Sequence, residues 1–136
     1  MHTAPALPRV LTIAGTDPTG GAGAQADIKS IQAAGGYSYS VVTSLVAQNT
    51  TGVQEIFTPP TEFLRTQLRS VTDDVAIDAI KIGMLGTTEI IEVVRDFLTA
   101  HAQHCKVVLD PVMVASSSDR PVSYTHLRAH ETKANL

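Results

Sequence analysis

Nine glycines occur in this chain, all between Gly15 and Gly86, and three of them crowd one loop at Gly20, Gly21 and Gly23. Glycine-rich loops ahead of helices are where backbone amides can close on a phosphate. The loop Gly15-Thr16-Asp17-Pro18-Thr19-Gly20-Gly21-Ala22-Gly23 is therefore the first candidate for chemistry. A P-loop requires Gly-x4-Gly-Lys-Ser/Thr, because the lysine and hydroxyl reach phosphate and magnesium. The spacing from Gly15 reaches Gly20, but Gly21 and Ala22 follow, and the pattern fails. A dinucleotide-type G-x-G-x-x-A does occur at Gly21-Ala22-Gly23-Ala24-Gln25-Ala26. It stands several residues past the preceding apolar stretch, where the fingerprint needs a tight strand-to-helix turn. Gln48-Asn49, not an acidic residue, ends the next strand, where a ribose would need a carboxylate. A dinucleotide-binding Rossmann enzyme remains an alternative on this motif alone.

The elements that must hold this loop follow from periodicity. Arg9 to Ala14 reads as a buried strand closed by Gly15. Ala24 to Ala34 places Ala24, Ile28 and Ile31 at helical spacing, and Gly35-Gly36 stops it. Tyr39 to Val46 is rich in β-branched and apolar residues and predicts a second strand, with a short third at Gly52 to Phe57. Pro59-Pro60 breaks the chain, and Thr58 or Thr61 can cap a helix carrying Leu64, Leu68 and Val71. Ile77 to Ile82 predicts a strand ended by Gly83. Thr87 or Thr88 can cap the next helix, with Glu89 near its positive end and a stripe of Ile90, Val94 and Phe97. Lys106 to Leu109 predicts a strand running into Asp110-Pro111. Strands alternating with amphipathic helices imply one α/β domain built on a mainly parallel sheet.

In such sheets ligands bind outside the carboxyl ends of the strands. Those ends are Gly15 to Gly23, Gln48-Asn49, Gly83-Met84 and Asp110-Pro111-Val112. Converging on one rim, they would make a small-molecule pocket with few polar anchors. Composition narrows the partners. With 43% hydrophobic and 17% charged residues, a packed core is available. A net charge of −3 argues against a nucleic-acid partner held by phosphate neutralisation. No apolar run approaches the roughly 18–20 residues that span a bilayer, and the Gly15-Thr16-Asp17-Pro18 break comes before a signal peptide's cleavage region could form. The expectation is a soluble, cytoplasmic protein. Cys105 is the one cysteine, which excludes an intramolecular disulfide and a cysteine-rich zinc site. It reads as a small buried hydrophobe, and His101 and His104 as cations at a helix end, not metal ligands.

The run Leu11-Thr12-Ile13-Ala14-Gly15-Thr16-Asp17-Pro18-Thr19-Gly20-Gly21-Ala22-Gly23-Ala24-Gln25-Ala26-Asp27 closely resembles the N-terminus of bacterial hydroxymethylpyrimidine/phosphomethylpyrimidine kinases of thiamine biosynthesis. Three further blocks agree in order and spacing: Thr43 to Thr50, Lys81-Ile82-Gly83-Met84-Leu85, and Val107-Val108-Leu109-Asp110-Pro111-Val112-Met113. The resemblance implies a ribokinase-like fold, a mainly parallel sheet flanked by helices. It also implies a phosphotransferase that uses ATP and Mg2+ on a small-molecule alcohol, with a homodimer as the possible assembly of the full-length enzyme. By the same resemblance Gly15, Asp27, Gln48, Met84 and Val112 line the hydroxymethylpyrimidine pocket. The chemistry is compatible, since a carboxylate and an amide can meet the donor and acceptor edges of an aminopyrimidine. Met84 and Val112 can face its ring. Asp110 would lie near the magnesium–phosphate region. Taken without the resemblance, Asp27 is an ordinary solvated helix residue, Gln48-Asn49 a strand end, and Met84 and Val112 plain core. A pyridoxine-type alcohol, which related kinases use, is the alternative substrate.

The family is about twice as long. Its second half carries an Asn-x-x-Glu segment associated with magnesium and a Gly-Thr-Gly-Cys loop that forms the anion hole, and neither occurs in this sequence. Residues 1–120 therefore read as the N-terminal half of a kinase domain, truncated. Ser123 to Thr132 resembles a translated sequencing-adapter read-through, so residues 121–136 are expected to lie outside the family. An inactive fragment or plain ligand-binding module is the third reading. Phosphoryl transfer depends on positioning and on charge stabilisation at the moving phosphate. Residues 1–136 alone are thus expected to turn over no ATP with hydroxymethylpyrimidine in an ADP-coupled assay, and to melt in denaturant without a cooperative transition. Substrate-dependent turnover with a cooperative melt is the outcome that contradicts this.

Overall fold

The structure, a computed structural model, describes residues 6–112. Strand β1 (Arg9–Ala14) is central, and Leu11, Thr12, Ile13 and Ala14 are fully buried, as a parallel strand covered on both faces requires. Helix α1 (Gly23–Ala33) leads to β2 (Tyr37–Val42), which pairs parallel to β1. A hairpin of β3 (Leu45–Asn49) and β4 (Gly52–Phe57) stands apart as its own antiparallel pair. Helix α2 (Thr61–Thr72) then returns the chain to β5 (Ala79–Ile82), on the other side of β1. Helix α3 (Thr88–His101) and a 3-10 turn (Ala102–His104) connect to β6 (Lys106–Leu109), parallel to β5.

The four-stranded order is β2-β1-β5-β6. Alternation along β1 sends Leu11 and Ile13 to one face and Thr12 to the other. The first face packs Ile80, Ile82 and Val41 against Leu64, Leu68, Ile90, Val94 and Phe97 of α2 and α3. Helix α1 covers β1 and β2 on the opposite face. The expected mainly parallel sheet flanked by helices is therefore present. The chain winds from β1 first to β2 and then to β5, so the topological switch point lies between the carboxyl ends of β1 and β5.

Several expected boundaries shift for identifiable reasons. The single strand expected over Tyr39–Val46 is two elements, broken at Thr43-Ser44. Both residues are buried and hydrogen-bond to neighbouring loops: the Thr43 hydroxyl donates to the Met84 carbonyl at 2.8 Å, and the Ser44 carbonyl accepts the Thr16 amide at 3.0 Å. Helix α2 has Pro60 at its N-cap with no side-chain cap, so neither Thr58 nor Thr61 plays that part. Proline's fixed φ makes the turn instead. Thr87 does cap α3, accepting the Ile90 amide at 3.3 Å. The strand expected from Ile77 begins at Ala79, because Asp78 turns outward to accept the Arg9 amide at 2.7 Å and its guanidinium at 3.2 Å. Segment 121–136 lies outside the described residues.

One glycine is essential to this geometry. Gly23 opens α1 at φ +57°, and a Cβ there would sit 2.5 Å from the Gly15 carbonyl oxygen. That oxygen accepts the Ala24 amide at 2.9 Å, so it cannot yield without unhooking the helix start. Gly23→Ala is expected to destabilise the complete product of the gene that encodes this sequence by about 2–3 kcal/mol, from left-handed strain plus the clash. Denaturant unfolding of the variant beside the unaltered protein measures it.

Candidate functional site

The glycine loop is organised around a carboxylate of its own. Asp17 is 4% exposed, and its Oδ1 accepts the Thr19 amide at 2.9 Å and the Thr19 hydroxyl at 2.8 Å. Its Oδ2 accepts the Gly21 amide at 3.1 Å and the Ala22 amide at 2.8 Å. The amides that a phosphate loop would offer to a ligand are thus spent on an internal anion. That weighs against the Rossmann alternative and against a nucleotide phosphate in this loop. Burial pushes the Asp17 carboxyl up, but the Gln48 side chain, the Thr19 hydroxyl and amide and the Ala22 amide outweigh it, holding the pKa at about 2 against 3.8.

Around this cage the chain ends converge. The Asp17 amide donates to Gln25 Oε1 at 2.8 Å, which ties the loop to α1. Thr16 ties it to the hairpin, donating its amide to the Ser44 carbonyl and accepting the Val46 amide on its hydroxyl at 2.9 Å. Buried Gly15 faces Met84, whose Cε lies 2.6 Å from where a Cβ on Gly15 would stand. Glycine at position 15 therefore lets the β1 and β5 ends meet. Gln48, half-buried on β3, lies against Asp17.

Asp27 projects from α1 onto the sheet and is held by two groups. The Thr12 hydroxyl donates to its Oδ2 at 2.5 Å, and Lys81 Nζ lies 2.9 Å from Oδ1 and 3.0 Å from Oδ2. Thr12 and Lys81 are register partners on β1 and β5, so the carboxylate sits over the seam between those strands. Lys81 also reaches Asp110 Oδ2, at 3.6 Å, from the end of β6. Val112 is half-exposed at the limit of the described residues, its amide turned back on the Asp110 carbonyl. Gly15 with Met84, Gln48 with Asp17, and Asp27 with Lys81 and Asp110 thus form three small groups at one end of the sheet. None of the five expected pocket residues lines the open groove of Thr16, Leu45, Val46, Ala47, Glu55 and Phe57 along the hairpin.

Sequence reasoning gave Asp17 and Lys81 no role. A signal existed for each: Asp-x-Thr ahead of glycines is an Asx-turn pattern, and Lys81 is a charge inside the apolar strand Ala-Ile-Lys-Ile. Cys105 is half-buried against the core, and burial raises its thiol pKa. His101 stacks on Phe97 with its Nδ1 3.0 Å from the Phe97 carbonyl. Among the described residues no group of three His, Cys, Asp or Glu could hold a metal ion, and no helix is long and apolar enough to cross a membrane.

The Asp17 cage has a pH signature. Its folded pKa of about 2 lies below the ordinary 3.8, so its stabilisation is complete above 3.8 and is lost as pH falls through about 2. The shift corresponds to on the order of 2 kcal/mol. In the complete gene product, Asp17→Asn is expected to lower stability at neutral pH and to remove that part of the acid-dependent loss. Unfolding free energies of both proteins across this range provide the check.

The phosphomethylpyrimidine kinase family matches residues 17–134 of the chain, through the stretch set apart above on its sequence. A hydroxymethylpyrimidine/phosphomethylpyrimidine kinase of Salmonella typhimurium is 56% identical over 110 residues, covering 80% of this chain and 41% of that protein. The crystal structure of a phosphomethylpyrimidine kinase from Clostridium difficile superposes with a TM-score of 0.81 at 36% identity, over 89% of this chain and 52% of that one. A Staphylococcus aureus pyridoxal kinase in complex with AMP-PCP and pyridoxal gives 0.71 at 38% identity, over 80% of this chain and 40% of that one. The chain thus spans about half or less of the length of these proteins. Within that span the sheet order is ribokinase-like, and the match includes all the residues that surround the switch point except Gly15, Thr12 and Thr16. The chain belongs to the phosphomethylpyrimidine kinase family.

Proposed function

We propose that this chain supplies the acceptor-binding floor of a cytoplasmic kinase that phosphorylates hydroxymethylpyrimidine and its monophosphate in thiamine biosynthesis, with ATP and Mg2+ as cosubstrate. The supporting observation is the Asp27 carboxylate, fixed over the β1–β5 seam at the switch point by Thr12 and Lys81. A carboxylate there suits the exocyclic amine of an aminopyrimidine. The Gln48 side-chain amide can donate to a neighbouring ring nitrogen. Met84 and Val112 offer faces to the ring, and Gly15, lacking a Cβ, lets Met84 close in against the end of β1. The described residues do not by themselves fit a magnesium–nucleotide. The loop amides belong to Asp17, and Asp110 is a single carboxylate leaning on Lys81. Their part is to bind and orient the alcohol. Residues 1–120 are the kinase portion in this proposal, with 121–136 set apart. A homodimer belongs to it as well, and exposed Leu45, Ile56 and Phe57 on the hairpin are compatible with a second copy.

A pyridoxine-type alcohol is the second reading, favoured by the likeness to a kinase that holds pyridoxal. The two ligands differ where Asp27 acts, since the aminopyrimidine brings an amine. Calorimetry on the complete gene product is expected to show hydroxymethylpyrimidine binding more tightly than pyridoxine. Asp27→Ala and Gln48→Ala should each weaken hydroxymethylpyrimidine by about 1–3 kcal/mol, the cost of an unmet partner in a desolvated site. Unchanged affinity in both variants would remove the assignment.

A further inference from the structure

Lys81 is where a sheet residue and a site residue coincide. It lies in the middle of β5, in register with Thr12 on β1 and Val108 on β6. Its side chain is 24% exposed and runs up the α1 face to the carboxyl end of the sheet. Glycine at position 83 leaves the ammonium its place, since a Cβ there would come within 3.1 Å of Nζ. A half-buried ion pair of this kind contributes little net stability compared with well-packed apolar residues. The placement of a lysine here is better explained by what it does to the two carboxylates it faces, Asp27 and Asp110.

We propose that Lys81 is a positioning residue for the acceptor: with Thr12 it orients the Asp27 carboxylate so that Oδ1 presents one acceptor position to the ligand. The inference rests on Asp27 being the ligand's partner, as proposed above. An ionised carboxylate has about four acceptor positions. Thr12 takes one on Oδ2, and Lys81 approaches both oxygens. That leaves a single position, and it lies on Oδ1. The ligand group that fits there is one N–H donor, which the exocyclic amine of the acceptor proposed above supplies. Lys81 also offsets one of the two negative charges that α1 and β6 bring to the floor, through its 3.6 Å approach to Asp110. Without the ammonium, Thr12 is the one partner left to Asp27 among the described residues, and the carboxylate gains freedom to rotate.

The experiment uses the complete gene product, with hydroxymethylpyrimidine as ligand in calorimetry and steady-state kinetics. Lys81→Met is expected to raise Kd and KM for hydroxymethylpyrimidine about tenfold or more while KM for ATP stays within about twofold. Lys81→Arg should restore most of the loss. Because Lys81 acts through Asp27, the double variant Lys81→Met/Asp27→Asn should bind no worse than Asp27→Asn alone. Should Lys81→Met fail to fold by thermal melt, Lys81→Gln, which keeps donors without charge, is read in the same way. Wild-type-like affinity in the Lys81 variants beside a loss in Asp27→Asn overturns the positioning role and leaves the acceptor reading standing. Losses that multiply in the double variant, or an equal rise in KM for ATP, also overturn it, as a general structural effect. An unaltered protein that does not bind hydroxymethylpyrimidine overturns the acceptor reading, and the positioning role with it.

Discussion

The Asp17 carboxylate, sealed inside its own glycine loop, is the interaction on which the rest of the site depends. A turn this rich in glycine gathers amides pointing inward, and such a nest needs an anion. The chain supplies that anion itself, from the first turn of the loop. With four donors on one buried carboxylate, the loop has a fixed shape before any ligand arrives. Three other contacts inherit that shape. Gln25 fastens the loop to α1, which sets the height of Asp27 above the sheet. Thr16 fastens it to β3, which places Gln48. Gly15, held as the acceptor of the Ala24 amide, brings the end of β1 against Met84. Loss of the cage would therefore loosen all three groups of the site together.

The topology explains why charge gathers where it does. Along β1 and β5, alternation divides a hydrophobic face of Leu11, Ile13, Ile80 and Ile82 from a face carrying Thr12 and Lys81. The first meets α2 and α3 and forms the core. The second meets α1 and leads toward the switch point, where the crossovers diverge and, among the described residues, no helix closes over the strand ends. A polar pair can be kept there because its far side reaches solvent. The same pair deeper in the sheet would cost more in desolvation than it recovers. The ion pair therefore marks the boundary between core and site.

Much of this was legible in the sequence, for physical reasons that can be named. β1, β4 and β6 and the register of the three described helices follow from local periodicity and from glycine and proline punctuation, which act within a few residues. The break at Thr43-Ser44 was not legible, because β-branched residues favour extended backbone on either side of it. What divides the run is tertiary: the Thr43 hydroxyl goes to Met84, forty-one residues away, and the Ser44 carbonyl to Thr16. The retreat of β5 to Ala79 has a similar origin in the Arg9–Asp78 pair, sixty-nine residues apart in the chain. At the site, the positions Gly15, Asp27, Gln48, Met84 and Val112 came through resemblance. The partners Thr12 and Lys81 came only from the register of two strands, which no single strand's pattern contains.

The glycine loop looks like a nucleotide motif in sequence and is something else in space, and the distinction turns on one side chain. A dinucleotide loop leaves its amides free at the helix N-terminus, so phosphate completes it. In this chain Asp17 completes the loop from within, at a cost in burial that its hydrogen bonds more than offset. A phosphate brought to the same amides would meet a carboxylate already in place, with two like charges in one nest. With its amides occupied by Asp17, the loop is a rigid support between β1 and α1, and any phosphate has to be held by other groups.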